Sequence, residues 1–272
     1  MGGLTLTMRA TLRLPVDMAP VLPGLLTGLG THEIARLELQ CGNRRIKLGE
    51  LFEVTAGDPQ RLVIRDTCPA LERIGAGMES GAIAVEGDAG ALLGHGMKGG
   101  SIAVAGAAGP FAGSEMSGGV IRVEGDAAGF VGAAQAGGRF GMTGGAILVG
   151  GDLGDRAGDR MRRGLILGDS AGLHTGSRMI GGTILVRGPC GALPGIAMKR
   201  GTLILGGGGG GGEGDAAPAT FADNGVHELG WLALLERHLA ELGLRGMLSS
   251  RRVRRLTGDL AAGGKGEILV AA

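Results

Sequence analysis

Seven methionines recur along the middle of the chain at a nearly constant step: Met78, Met97, Met116, Met142, Met161, Met179 and Met198. Their separations are 19, 19, 26, 19, 18 and 19 residues. A strand-like opening follows each one: GAIAV from Gly81, GSIAV from Gly100, GVIRV from Gly119, GAILV from Gly145, GLIL from Gly164, GTILV from Gly182 and GTLIL from Gly201. LVIRD from Leu62 precedes them in the same phase. In GVIRVEG, Ile121 and Val123 share one face while Val120, Arg122 and Glu124 share the other, since successive strand residues point to opposite sides. The inward pair recurs as Ile83/Val85, Ile102/Val104, Ile147/Val149 and Ile184/Val186. One such strand cannot bury its apolar face alone, so the units must stack. A βαβ crossover needs about 30 residues per unit, which this step does not supply. The expected fold is mainly β, a right-handed parallel β-helix of about seven 19-residue coils, with a small α+β N-terminal cap and a C-terminal helix. At about 4.8 Å per coil it spans roughly 30 Å.

The step also explains an unusual composition. Glycine contributes 60 of 272 residues and proline 9, against five Phe, one Trp and no Tyr. In a solenoid, glycine serves corners that need positive φ and close backbone approach. Gly75, Gly94, Gly113, Gly158, Gly176 and Gly195 all stand three residues before the repeat methionine, whereas Arg139 holds that place in the 26-residue unit. The insertion there is expected to re-route the turn. The methionines are expected to point inward as flexible filler; a soft-metal ladder is the alternative, although such sites normally add Cys or His nearby.

Four segments follow. Residues 1–60 form the N-terminal α+β cap, with two strands around Gly42-Asn43; residues 61–206 form the repeats. A Gly-rich connector, residues 207–224, carries most of the run Gly206 to Gly212, which lacks the GK[ST] of a phosphate loop. The rest, residues 225–272, is the C-terminal helix and tail. The helix is expected from about Val226 to Leu242, capped by Asn224, with Leu229, Leu232, Leu235, Leu239 and Leu242 on one stripe. That stripe covers an open end of the solenoid, lies along its side, or binds a partner.

Few classes of chemistry are open to this chain. With 27 Lys and Arg against 26 Asp and Glu, no global pull toward nucleic acid or membrane exists. Cys41, Cys68 and Cys190 form neither a disulfide framework nor a zinc site and fit a reducing compartment. No signal peptide and no long apolar run is evident, so the expected location is cytoplasmic. The five histidines show neither HxH nor HExxH spacing. Asp88, Asp126, Asp152 and Asp169 recur after glycine; Asp at a turn usually bonds its own backbone, and the calcium-binding GGxGxDxUx pattern is missing. Grouped acids and bases and aromatic sugar platforms, as a carbohydrate-acting β-helix requires, are not evident. No catalytic residue is expected, and no metal or cofactor site.

One local concentration of charge stands out beside the methionines. Arg160 and Arg178 precede them, Lys98, Arg162 and Lys199 follow, and Arg163 and Arg200 come next. Stacking would gather these seven into a cationic strip along one corner. The bland alternative is a solvated edge; the sharper one is a site for an anionic ligand or partner.

The pattern G-x-I-x-V-x-G-D-x-G…G-x-x-M-x-G resembles the C subunit of formylmethanofuran dehydrogenase, a fold also similar to the C-terminal β-helix domain of the glutamate synthase large subunit. EIARLELQCGNRRIKLGELFEV at residues 33–54 looks like the family's N-terminal part, and TGDLAAGGKGEILV at residues 257–270 like its C-terminal signature. The resemblance implies a non-catalytic structural subunit. Its partners would be a catalytic amidohydrolase-like subunit, a formyltransferase subunit and a further subunit of one complex. In methylotrophic bacteria that assembly is the formyltransferase/hydrolase complex, which passes a formyl group from a tetrahydromethanopterin carrier to a methanofuran-type carrier and releases formate; the Arg- and Ala-rich composition looks like such a bacterial version. The alternatives are the same subunit of a tungsten or molybdenum formylmethanofuran dehydrogenase, or an independent carbohydrate-acting β-helix. Any metal would belong to another subunit, and the glutamate-rich tail of family carriers gives the basic strip a matching anion.

Overall fold

The computed structural model describes residues 2–9, 12–206, 218–248 and 250–272. The N-terminal region holds β1 (Gly3–Met8), β2 (Val16–Asp17), α1 (Pro23–Leu26), α2 (Thr31–Ala35), β3 (Glu38–Cys41), β4 (Arg44–Lys47), α3 (Leu48–Leu51) and β5 (Phe52–Thr55). The strands β6 (Asp58–Thr67), β7 (Leu71–Glu72), β8 (Ala82–Gly87), β9 (Ser101–Val104), β10 (Val120–Val123), β11 (Ala146–Val149), β12 (Leu165–Gly168), β13 (Thr183–Val186) and β14 (Thr202–Leu205) follow. The chain closes with β15 (Ala222–Glu228), α4 (Leu232–Glu241), β16 (Arg252–Gly258) and β17 (Gly266–Ala271). The protein is mainly β. Among the described residues thirteen strands join one mixed sheet in the order β15-β16-β17-β14-β13-β12-β11-β10-β9-β8-β6-β1-β5.

The repeat sets the register of that sheet. Ile83 pairs with Ile102, Ile102 with Ile121, Ile121 with Ile147, Ile147 with Ile166 and Ile166 with Ile184, all in parallel strands. Leu62 pairs with Ile83 in the same phase. The inward residues are buried, as are all seven repeat methionines. A second parallel ladder joins Ala89, Ala108, Ala127, Leu153, Ala171 and Cys190 at the same step. At a third place the carbonyl of each methionine from Met78 to Met179 accepts the amide one repeat on, as in Lys98 to Met78 and Arg162 to Met142. The glycine-linked aspartates tie the stack rather than their own turns. Asp88 accepts the Ala107 amide at 2.8 Å, Asp126 the Asp152 amide at 2.9 Å, and Asp152 the Ser170 hydroxyl at 2.6 Å.

The glycine corner has a steric cause. At Gly75, Gly94, Gly113 and Gly158 a Cβ would stand 2.3–2.5 Å from the Cδ1 of an inward isoleucine of the following repeat, and φ is 60–70°. The long repeat departs from expectation here. Gly132, and not Arg139, takes the corner: its φ is +63, and its Cβ would meet Ile166 Cδ1 at 2.7 Å. Its amide donates to Ala112, while Met142 donates back to the Gly132 carbonyl at 2.8 Å. The extra residues, 135–141, therefore bulge between corner and methionine and leave the stack undisturbed. Aligning the insertion on the methionine alone hides this.

The C-terminal region also differs from the expectation. Asn224 caps no helix, because residues 222–228 form β15, antiparallel to β16; the helix begins only at Leu232. The partner strand β16 returns only after α4, with Val226 opposite Arg254, beyond the reach of local pattern. The leucine stripe lies along the sheet. Leu232 and Leu239 pack with Ala146, Leu148, Leu165, Leu167, Leu185 and Ile204, so the last repeats are buried on both faces. β17 extends the stack by pairing parallel with β14, and β16 then pairs with it antiparallel. At the other end β1 covers β6, and β3 pairs with β4 around Gly42 as expected. Of the Gly206–Gly212 run and the connector, residues 207–217 lie outside the described residues.

Candidate functional site

The seven basic residues stand at three positions of the repeat, and stacking brings only the late ones together. Along the position after the methionine the order is Glu79, Lys98, Ser117, Thr143, Arg162, Ile180 and Lys199, each amide donating to the preceding methionine carbonyl from Lys98 on. Lys98 is thus three repeats from Arg162, about 14 Å at 4.8 Å per repeat. It is paired with Glu79 at 2.8 Å, and that hydrogen bond holds the Glu79 carboxyl below its ordinary range. Arg162 and Lys199 are two repeats apart, about 10 Å, as are Arg163 and Arg200. All four are exposed. Arg163 and Arg200 make no side-chain hydrogen bond or ion pair among the described residues. Exposed Lys265, from the tail, donates its amide to the Lys199 carbonyl at 2.8 Å and extends the row. No repeat signal marks it, so the sequence pattern misses it.

The residues before the methionine are spent on structure. Arg178 donates through Nε to the Asp159 carboxylate at 2.9 Å and through Nη2 to its other oxygen. Asp159 is only 3% exposed and also accepts the Ser177 hydroxyl at 2.8 Å. Arg160 donates to the Gly138 carbonyl at 2.7 Å and so clamps the insertion. Both arginines adopt left-handed φ, 55° and 53°. Lys199 likewise donates to the Ala262 carbonyl and holds the tail.

The insertion gives the corner its aromatic floor. The Phe140 ring meets two guanidinium groups, those of Arg139 and Arg162, each 4.9 Å from the ring centre. Such contacts are worth about 0.5–1 kcal/mol at exposed sites and leave the guanidinium N–H groups free to meet an anion. His95 Nδ1 lies 2.9 Å from the hydroxyl of fully buried Ser114 and 3.4 Å from Gln135 Nε2. The Gln135 amide donates to Glu115 at 3.2 Å. With Ser114 inaccessible, this network anchors the insertion and presents no nucleophile.

A concavity of about 390 Å³ opens on the outer face of the sheet between Ala84, Ala103, Arg122 and Leu148 and the segment bearing Leu244 and Met247. Arg122 closes one side by donating to the Leu242 carbonyl at the end of α4. Among the described residues, no group of three or more His, Cys, Asp or Glu is placed to hold a metal ion. No helix among them is long and apolar enough to cross a membrane.

No family model matches the chain. Among curated proteins it is similar to the C subunit of the formyltransferase/hydrolase complex Fhc of Methylorubrum extorquens, 52% identical over 269 residues, 98% of this chain and 99% of the relative. A shorter likeness, 36% identical over 92 residues, relates a third of the chain to a third of the C subunit of the tungsten-containing formylmethanofuran dehydrogenase 2 of Methanococcus maripaludis. Among solved structures it is similar to a chain of the formyltransferase/hydrolase complex FhcABCD of Methylorubrum extorquens in complex with methylofuran. The TM-score is 0.92 with 41% identity, covering 98% of this chain and 99% of that one. A relative that matches end to end, cap and tail included, decides the matter: the chain belongs to the family of the C subunit of formyltransferase/hydrolase complexes.

Proposed function

We propose that this chain is the non-catalytic structural subunit of a formyltransferase/hydrolase complex. The complex would move a formyl group from formyl-tetrahydromethanopterin to a methanofuran-type carrier and release formate. The observation that carries this reading is the likeness over nearly the full length, in sequence and in fold, to a subunit whose solved complex is bound to methylofuran. The likeness to the tungsten enzyme's subunit spans only a third of the chain, which favours the bacterial type of assembly. Its partners would be a catalytic amidohydrolase-like subunit, a formyltransferase subunit and one further subunit, one of which would carry any metal. Turnover by the isolated chain would contradict the scaffold role.

The architecture suits that role. We read residues 61–206 as a right-handed parallel β-helix of seven coils, capped by residues 1–60 and closed by residues 225–272. Three in-register contacts between successive repeats support this reading. A stack locked at three places per repeat is a rigid rod, suited to holding other subunits in fixed relation.

The basic corner would take the glutamate-rich tail of the carrier. Arg162, Arg163 and Arg200 are its exposed elements, with Lys199 contributing charge; Lys98, Arg160 and Arg178 are committed to Glu79, Gly138 and Asp159. Exposed ion pairs contribute up to about 1 kcal/mol each, so Arg162→Gln with Arg163→Gln in the assembled complex is expected to weaken carrier retention roughly tenfold. The deficit should shrink as salt is raised, because salt screens the wild-type attraction. Equal retention at low salt would remove the basic corner from carrier binding.

A further inference from the structure

A second row of left-handed residues runs along the stack, five residues before the methionine in the regular repeats. It consists of Arg73, Leu92, Phe111, Phe130, Arg156, His174 and Leu193, with φ between 55° and 70° at each. Glycine adopts this conformation without the Cβ crowding that other residues meet. At the glycine corner two residues further on, an inward isoleucine or leucine excludes any side chain. No glycine stands in this row, and large side chains are held at a conformational cost.

Most of what they hold is apolar and uncovered. Leu193 is 41% exposed, and Leu173, next to His174 in the chain, 46%, while Leu92, Phe111 and Phe130 are half-buried. In a chain with five Phe and one Trp, two Phe are placed here. They stack on one another, with centroids 4.7 Å apart and planes at 11°. That contact offsets part of the strain at two positions, and the Asp17 carboxylate 3.3 Å from Arg73 does so at another. It does nothing for Leu92, Arg156, His174 or Leu193. The side chains of Arg156 and His174 have no hydrogen bond or ion pair among the described residues, although Arg156 sits at the middle of the row.

We propose that the row Leu92, Phe111, Phe130, Arg156, His174 and Leu193 is the seat of another protein subunit of the complex, one that presents an apolar face with a carboxylate opposite Arg156. The proposal rests on the reading of the chain as a subunit of an assembly. Aromatic residues and arginine are what protein interfaces favour, and a guanidinium buried among apolar groups requires a carboxylate partner. Six repeats at about 4.8 Å give a row roughly 24 Å long, the scale of an interface patch. A saccharide fits less well, because the two rings spend a face on each other where a sugar platform needs open faces.

The left-handed φ makes a clean test available. Phe111→Gly with Phe130→Gly removes the side chains at positions whose backbone glycine accepts, and Arg156→Glu reverses the charge without touching the core. Each full-length variant is co-expressed with the partner subunits and recovered by a tag on this chain. Both are expected to bind the partners at least about tenfold more weakly, while the melting temperature of the variant chain alone stays within a few degrees of wild type. Wild-type recovery of the partners by both variants would overturn the proposal. So would glycan binding that Phe111→Gly/Phe130→Gly abolishes while assembly is unchanged, which would assign the row to a saccharide. Failure of the unaltered chain to recover any partner is a different result, and it removes the subunit reading itself.

Discussion

Gly94→Ala is expected to destabilise the fold by roughly 2–4 kcal/mol, and Gly96→Ala, two residues away, by only about 1–2. Both glycines are left-handed, with φ of 60° and 62°, so a Cβ at either carries the left-handed penalty of about 1–2 kcal/mol. Only Gly94 is also enclosed. Its Cβ would stand 2.5 Å from Ile121 Cδ1 and 3.4 Å from Ile102 Cδ1, while nothing lies within 4 Å of a Cβ at Gly96. Overpacking a full core adds about 1–3 kcal/mol. For a chain of this size the Gly94 variant should melt roughly 4–16 °C lower, and the Gly96 variant roughly 2–8 °C lower. Glu115, Arg160, Arg178 and Ala197 already occupy the Gly96 position elsewhere with left-handed φ, which shows that this position tolerates a side chain. Equal losses at the two glycines would mean that conformation alone, and not the inward isoleucine, selects glycine at the corner.

Removing the Asp259 carboxylate should release the C-terminal end of the stack. Asp259 is 3% exposed and accepts the Ala197 amide at 2.9 Å and the Ala261 amide at 3.0 Å. It thereby joins the tail to the last repeat while capping the turn at 260–262. In Asp259→Ala those amides lose their acceptor, at about 1–3 kcal/mol for a buried group and about 1 kcal/mol for the cap. We expect a loss of about 2–4 kcal/mol, with faster amide exchange in β17 and β16 before the earlier strands. Burial pushes the Asp259 carboxyl up, but the donors from Ala197, Thr220, Ala261 and Ala262 outweigh it and hold the group below its ordinary range. A depressed folded pKa stabilises the fold above the unfolded value near 4, and that contribution fades as pH falls through the folded pKa. Asp259→Asn should therefore lose less stability than wild type between about pH 5 and pH 2. Parallel acid curves would show that the carboxylate's charge plays no part.

The periodic part of the fold is legible in the sequence because the same constraint is imposed once per repeat. The Ile/Val pairs, the inward methionines and the glycine corner each recur, and all stand where the spacing places them. What occurs only once is not legible in this way. Counting back from Met142 points to Arg139 and hides Gly132 as the corner. Residues 226–228 read as the start of a helix because the partner of β15, β16, is distant in sequence, although the leucine stripe beyond them is sound. The basic residues emerge from counting positions, yet counting cannot show which arginines are engaged. Asp159 and Asp259 look like ordinary turn aspartates until their partners are in place. Lys265 joins the corner only through the tail's return to the stack, and Phe140 becomes its floor only because the insertion brings its ring under Arg162.

As the scaffold proposed above, this chain would hold together an assembly that handles formyl groups. The most direct measurement is affinity purification of the tagged chain from its native cells, with mass spectrometry of the eluate and a formyl-transfer assay on it. Stoichiometric recovery of an amidohydrolase-like subunit and a formyltransferase is expected, with activity in the assembly and none in the chain alone. A chain that elutes without a stoichiometric partner would contradict it.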